Sequence, residues 1–320
     1  MTRGKQAWIA AGALALVGGA ALVAAGPIMA GTARHTSPDP ERAGLQLRGE
    51  RAEWRSRGLG RYGSGRVSGT VMYGPHQRQQ VDLYRPDDAL GDAPLIFYIH
   101  GGGWSAGNHK MVDAKPAHFV GQGYVFASAG YRVLPDASVE EQAADLGEAL
   151  RAVRTQAVDY GFDPDRIVLI GHSAGAHLAA LLASDPKYAG DAFGAIRGAV
   201  LVDGGDYDIA LALTMPEMEA PLLYRDVFGQ DAARHKALSP LYHVGGRDAS
   251  HWLLLHLATR PATTRQAGLM ADALRKAGRT AEVFALEGST HMRINREIGT
   301  PAGEQQTAAI DDFLAKVLGG

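Results

Sequence analysis

The order of apolar runs and helical stretches in this chain predicts an α/β fold: a mostly parallel eight-stranded sheet with helices on both faces and a small lid segment. Three observations carry that expectation. From residue 67 onward, short apolar runs alternate with amphipathic helical segments, the pattern of strand–helix–strand units. One run, Arg166–Ile170, leads into Gly171-His172-Ser173-Ala174-Gly175 and then into the helix-forming stretch Ala176–Ala183. Another, Pro94–His100, ends in Gly101-Gly102-Gly103-Trp104. At 320 residues the chain has room for one large domain of this class.

The elements follow in order. Met1-Thr2-Arg3-Gly4-Lys5 is a short basic start, and Ala7 to Ala25 is an uncharged run rich in Ala, Leu, Val and Gly. Small residues follow as far as Ala30, so residues 1–30 read as an export signal, cleaved or retained as an N-terminal membrane anchor. Either way, the rest of the chain is expected outside the cytoplasmic membrane: periplasmic, extracellular or anchored on its outer side. Residues 31–66 are poor in apolar residues and carry Arg48, Arg51, Arg55, Arg57, Arg61 and Arg66, which reads as a solvated linker. The domain spans 67–320. Its expected strands are Val67–Tyr73, Gln80–Arg85, Pro94–His100, Tyr124–Ala129, Arg166–Ile170, Ala199–Val202, His251–His256 and Ala281–Leu286.

Ser138-Val139-Glu140-Glu141 has the spacing of a capping box and opens a helix expected to run to about Tyr160. Thr264–Ala277 and Gln305–Leu318 are two further amphipathic helices. Gly204–Asp248 has no strong period and is read as the lid. Within it Met215, Met218 and Tyr224, together with Trp104, are candidates to line a substrate pocket.

Strand, G-x-S-x-G, helix is the context in which Ser173 acts as a nucleophile. A tight turn lifts its hydroxyl clear of the sheet, and the amide of Ala174 at the helix start favours developing negative charge. A three-glycine turn beside it frees backbone N–H groups to face a cavity, so Gly102, Gly103 and Ala174 are the candidate oxyanion donors. Net charge is −2 and gives no sign of nucleic-acid binding. The absence of cysteine excludes disulfides, thiolate metal sites and a cysteine nucleophile. No His/Asp/Glu spacing suggests a metal site, and no cofactor is implied.

His100-Gly101-Gly102-Gly103-Trp104, followed by Gly107 and Lys110, resembles the esterase/arylformamidase branch of the α/β-hydrolases, the hormone-sensitive-lipase-like and feruloyl-esterase-like enzymes. Gln80–Pro86 and Asp163–Ile167 resemble the segments these enzymes carry ahead of the glycine strand and the serine turn. The resemblance covers roughly residues 67–320. It implies an α/β-hydrolase fold, Ser173 as nucleophile, and His291, after Glu287-Gly288-Ser289-Thr290, as general base.

The acid does not stand where the resemblance puts it. Past the seventh strand the chain reads His256-Leu257-Ala258-Thr259-Arg260-Pro261, and Thr259 occupies the position of the family's Asp. Three readings stand: the acid has moved to Asp203, at the end of the sixth strand; a Ser–His dyad works with Thr259 or water orienting the ring; or the site is degenerate. Asp206 and Asp208 read as turn or cap carboxylates. The expected function is a serine hydrolase acting on small-molecule carboxylic esters of small to medium acyl or aryl groups through an acyl-enzyme. An arylformamidase-like amide hydrolase and a secreted hydrolase-fold binding module are the alternatives.

Overall fold

A computed structural model describes residues 65–87, 91–215 and 221–319. The expected export segment, nearly all of the expected linker and Met218 lie outside the described residues. No helix among the described residues is long and apolar enough to cross a membrane.

The described residues form eight strands: β1 Gly69–Met72, β2 Gln80–Tyr84, β3 Ala93–Ile99, β4 Val125–Ala129, β5 Phe162–His172, β6 Ile196–Val202, β7 His251–Leu257 and β8 Thr280–Leu286. They form one sheet in the order β1-β2-β4-β3-β5-β6-β7-β8. The β1–β2 and β2–β4 pairs are antiparallel and every other pair is parallel. The longer helices are α1 Lys115–Gly121, α2 Val139–Arg154, α3 Ala174–Ser184, α4 Pro221–Phe228, α5 Ala232–Leu238, α6 Pro261–Lys276 and α7 Glu304–Leu318.

Strand alternation sorts the core into two layers. Leu95, Phe97 and Ile99 of β3, with Ile167 and Leu169 of β5, face the layer built with α2, α3 and α6. Ile96, Tyr98, Val168 and Ile170 face the opposite layer, where Phe119 of α1 and Ile310, Phe313 and Leu314 of α7 cover the sheet. Both faces are therefore buried. This explains why the parallel strands read as continuous apolar runs rather than as alternating ones.

The register brings the carboxyl ends of five parallel strands together. Ile99 pairs with Gly171, His172 with Val202, Val202 with Leu255, and Leu257 with Leu286. The loops that follow β3, β5, β6, β7 and β8 thus emerge side by side, where open α/β sheets hold their ligands.

Two differences from the sequence expectation have local causes. The helix begun by Ser138 stops at Arg154, and a separate turn, Ala157–Tyr160, ends at Gly161 in the left-handed conformation (φ 72°). The capping box itself is complete, with Ser138 and Glu141 each bonded to the other's backbone N–H. The segment 204–248 contains α4 and α5, which its weak periodicity hid; both are short, and α5 starts at an Asp231 cap.

The serine turn needs its glycines for space. A Cβ on Gly175 would lie 2.3 Å from the Ile99 carbonyl oxygen and 2.5 Å from that of His100. These contacts are with backbone, which cannot swing aside. Gly175→Ala is expected to lower stability by about 2 kcal/mol or more, read as a lower urea midpoint. An unchanged midpoint would show that α3 and β3 are not locked together as described.

Candidate active site

Ser173 sits between β5 and α3 at φ 55°, ψ −121°, a left-handed backbone that side chains rarely adopt. Its N–H donates to the Val202 carbonyl at 3.0 Å, and its own carbonyl accepts from Ala176 and His177. The turn is thereby held on both sides while the hydroxyl stays free to face outward.

His291 lies in the loop after β8. Its Nε2 is 2.9 Å from Ser173 Oγ and its Nδ1 is 2.7 Å from Asp203 Oδ2. A proton on Nδ1 suits both contacts, because Nε2 is then an acceptor facing the serine hydroxyl. A proton on Nε2 instead would leave two acceptors, Nδ1 and Oδ2, in contact. The ring is also steered through its own backbone: His172 Nε2 donates to the His291 carbonyl at 2.8 Å, with the two rings 4.7 Å apart.

Asp203 follows directly from β6, turning at φ 44°, with its N–H on the Leu255 carbonyl at 2.7 Å. Its side chain is fully buried. Oδ1 accepts from the Leu257 N–H at 3.2 Å and sits 3.5 Å from the Thr263 hydroxyl; Oδ2 takes Arg260 Nη1 at 2.6 Å as well as His291. Burial raises the carboxyl pKa, but the His291 hydrogen bond, the charges of Arg260 and His291 and the Leu257 N–H outweigh it, so the net shift is downward. Thr259 is exposed. Asp203, not Thr259, meets the ring.

The glycine loop after β3 lies against the serine turn: a Cβ on Gly101 would come within 3.2 Å of Ser173 Cβ and 2.7 Å of the His172 carbonyl oxygen. Gly102 and Gly103 have φ 136° and 58°, and the Gly102 carbonyl is tied down by the N–H groups of Ser105 and Ala106. Among the described residues, no carbonyl accepts from the N–H of Gly102 or Gly103, and Ala174 is the first residue of α3. The Ala174 N–H thus adjoins the serine in the chain, and those of Gly102 and Gly103 belong to the loop whose first glycine packs on it. Among the described residues, four of the five non-glycine residues with positive φ are Trp104, Ser173, Asp203 and Asp206. Backbone strain therefore gathers at these loops, as it does at sites where geometry is functionally constrained.

The candidate pocket residues occupy different settings. Trp104 is 2% exposed; its Nε1 donates to His177 Nδ1 at 3.3 Å, and its ring packs edge-on to Tyr224 and Phe228. Met215 is buried, with Gln266 Nε2 4.0 Å from its sulfur. Tyr224 joins α4 to the Trp104 ring and hydrogen-bonds Asp206. Asp208 caps the short turn Ile209–Ala212, whereas Asp206 is buried and caps nothing. Among the described residues, no three His, Asp or Glu side chains are grouped to hold a metal ion.

Sequence reasoning missed Arg260 and Thr263. The signal was present: a basic residue stood in the very loop that had lost its carboxylate. Nothing local tied it to Asp203, which is 57 residues away.

The chain is similar to several known proteins. A family model described as BD-FAE matches residues 81–191. The probable carboxylic ester hydrolase LipM of Mycobacterium tuberculosis is 32% identical over 266 residues, covering 78% of this chain and 61% of that protein. Esterase LipQ of the same organism is 32% identical over 265 residues, covering 78% and 62%. The chain thus spans about three fifths of the length of these curated relatives. Among solved structures, Thermogutta terrifontis esterase 2 phosphonylated by sarin superposes with a TM-score of 0.67 at 25% identity, covering 79% of this chain and 96% of that one.

Buried imidazoles make the site sensitive to acid. Burial pushes His172 down to about 3, and His100 and His177 down to about 4, from an ordinary 6.5. On unfolding below 6.5 these rings take up protons that the folded chain refuses, so stability falls as pH falls from 6.5 toward 4. Asp206 runs the other way: burial raises it to about 7, so the folded chain holds its proton in that window and the unfolded chain releases it. Burial lowers His109 as well, so the protons taken up by the histidines on unfolding outweigh the one that Asp206 releases. The urea midpoint is expected to drop steadily between about pH 6.5 and about 4. A flat or rising midpoint on acidification would contradict the buried, neutral state of these histidines.

Proposed function

Because this chain belongs to the α/β-hydrolase superfamily, in its esterase branch, we propose that it is a serine hydrolase cleaving carboxylic esters of small to medium acyl or aryl groups. The observation that carries the reading is the single imidazole of His291 in contact with both Ser173 Oγ and Asp203 Oδ2.

In this reading Ser173 Oγ attacks the ester carbonyl carbon while its proton passes to His291 Nε2. The carbonyl oxygen, now an anion, is held by the N–H groups of Gly102, Gly103 and Ala174, each such donor being worth about 10²–10³ in rate. Asp203 steadies the imidazolium that forms. The C–O bond to the alcohol breaks, and His291 returns its proton to the leaving oxygen. Water then attacks the acyl-serine, again through His291, and releases the acid. Trp104, at the end of the glycine loop, packs on Tyr224, and Arg260 stands against the histidine.

We also propose that the chain is exported or anchored, on the sequence pattern of residues 1–30: a basic start, an uncharged run and small residues thereafter. Fractionation of cells expressing the full chain tests it. Catalytic domain recovered outside the cytoplasm, or membrane-bound and open to external protease, supports export or anchoring; soluble cytoplasmic protein contradicts both.

The neighbouring esterase phosphonylated by sarin makes an organophosphonate the natural probe. A fluorophosphonate is expected to label the purified protein and not Ser173→Ala, and p-nitrophenyl acetate turnover is expected to vanish in that variant. Asp203→Asn is expected to lose about 10⁴ in turnover with little change in fold. Wild-type protein that neither labels nor exceeds Ser173→Ala would remove the hydrolase reading. An Asp203→Asn enzyme of full activity would remove the acid.

A further inference from the structure

Asp203 Oδ2 serves two nitrogens at once. His291 Nδ1 lies 2.7 Å from it, Arg260 Nη1 lies 2.6 Å from it, and the two nitrogens are 2.9 Å apart. With the proton on Nδ1, both groups aim an N–H at one oxygen. Arg260 comes from the β7–α6 loop, one residue past Thr259, and the same segment supplies the Leu257 N–H and the Thr263 hydroxyl beside Oδ1. The loop in which the resemblance would put the acid here supplies the groups that hold the acid instead, one of them a permanent cation.

We propose that Arg260 is a positioning residue that shares the Asp203 carboxylate with His291. In this role it divides the charge of that carboxylate between two donors, so that less of it is left to the imidazolium formed when the ring takes the Ser173 proton. This rests on the hydrolase reading above. The physics is direct. A carboxylate stabilises an imidazolium through its charge, and a guanidinium on the same oxygen spends part of that charge. The guanidinium also sets a second positive charge against Nδ1. Arg260 remains charged throughout the working pH range. Its pull costs some stabilisation of the imidazolium formed during attack.

The other groups facing the ring do not supply this effect. Ser173 and His172 face it from the serine turn, and burial holds His172 neutral, down at about 3. Lys115 of α1 acts on His172 and is itself paired with Asp113. Asp206, in the loop after β6, acts on Arg260. On the histidine's own segment, Arg293 is bonded to Glu297, and Glu287 lies back toward β8. Among the described residues, Arg260 is the cation in contact with the His–Asp pair.

The test is the rate of fluorophosphonate labelling of Ser173 from about pH 5 to about pH 9 in wild type, Arg260→Gln, Arg260→Lys and Thr259→Asp. Arg260→Gln is expected to move the acidic limb up by about half to one pH unit, roughly a three- to tenfold loss of rate on the acid side. Its alkaline plateau should stay within about threefold of wild type, because Leu257 and Thr263 still hold the carboxylate. Arg260→Lys keeps the charge and should keep the limb within about a quarter of a unit. Thr259→Asp alters an exposed position, leaves the Arg260 side chain in place and adds a carboxylate on the neighbouring residue to draw on its charge, so the limb should again move up. This variant carries the test if Arg260→Gln fails to fold.

An unmoved limb in Arg260→Gln, or in Thr259→Asp where the glutamine variant does not fold, overturns the role of Arg260 and leaves the hydrolase reading intact. A limb moved as far by Lys as by Gln does the same, as does a plateau that collapses with the limb in place, which would mark a scaffold residue. A wild type that labels at no pH overturns both readings.

Discussion

One imidazole has to meet a hydroxyl and a carboxylate at the same time, and much of this structure is arranged so that it can. Ser173, Asp203 and His291 are separated by 118 residues between serine and histidine and by 88 between aspartate and histidine. No local preference brings them together. The parallel register does, by ending β5, β6 and β8 at one edge of the sheet. Each functional side chain stands in the loop after its strand, so a slip of one pairing would separate the ring from one of its two partners.

The loops meet these demands at the expense of ordinary backbone geometry. Ser173, Asp203 and Trp104 each take a positive φ, and Gly101, Gly171 and Gly175 stand where any Cβ would strike backbone or the serine itself. Such conformations persist only where the surroundings over-determine them. Here the surroundings are the Val202 carbonyl under the Ser173 N–H, the Leu255 carbonyl under the Asp203 N–H, and the His172 ring under the His291 carbonyl. The two apolar layers hold the strands that carry these groups. The carboxylate itself is buried, hydrogen-bonded through both oxygens and faced by a cation, which keeps it ionised beside the ring.

Much of this was legible in the sequence. The central strands were marked by continuous apolar runs, because the sheet is buried on both faces there, whereas the edge strands β1 and β8 alternate between more and less exposed positions. The ends moved by a few residues; β5, for example, starts at Phe162 rather than Arg166. Ser173 and the glycine loop announce themselves because a strained turn demands particular residues at fixed spacing, and His291 follows from its place between the last strand and the last helix. Asp203 was one of three readings, since a carboxylate after a strand looks the same whether it caps a turn or orients a ring. α4 and α5 were hidden because helices of eight and seven residues barely complete two turns and give little period to read. Arg260 was invisible as a partner of Asp203, because the pairing exists only once β6 and β7 lie side by side.

The most direct test is a crystal structure of the phosphonyl adduct on Ser173. The account predicts a phosphonyl oxygen within hydrogen-bonding distance of the N–H groups of Gly102, Gly103 and Ala174, with His291 still bonded through Nδ1 to Asp203. A phosphonyl oxygen turned away from those amides, or a His291 ring oriented by a group other than Asp203, would contradict it.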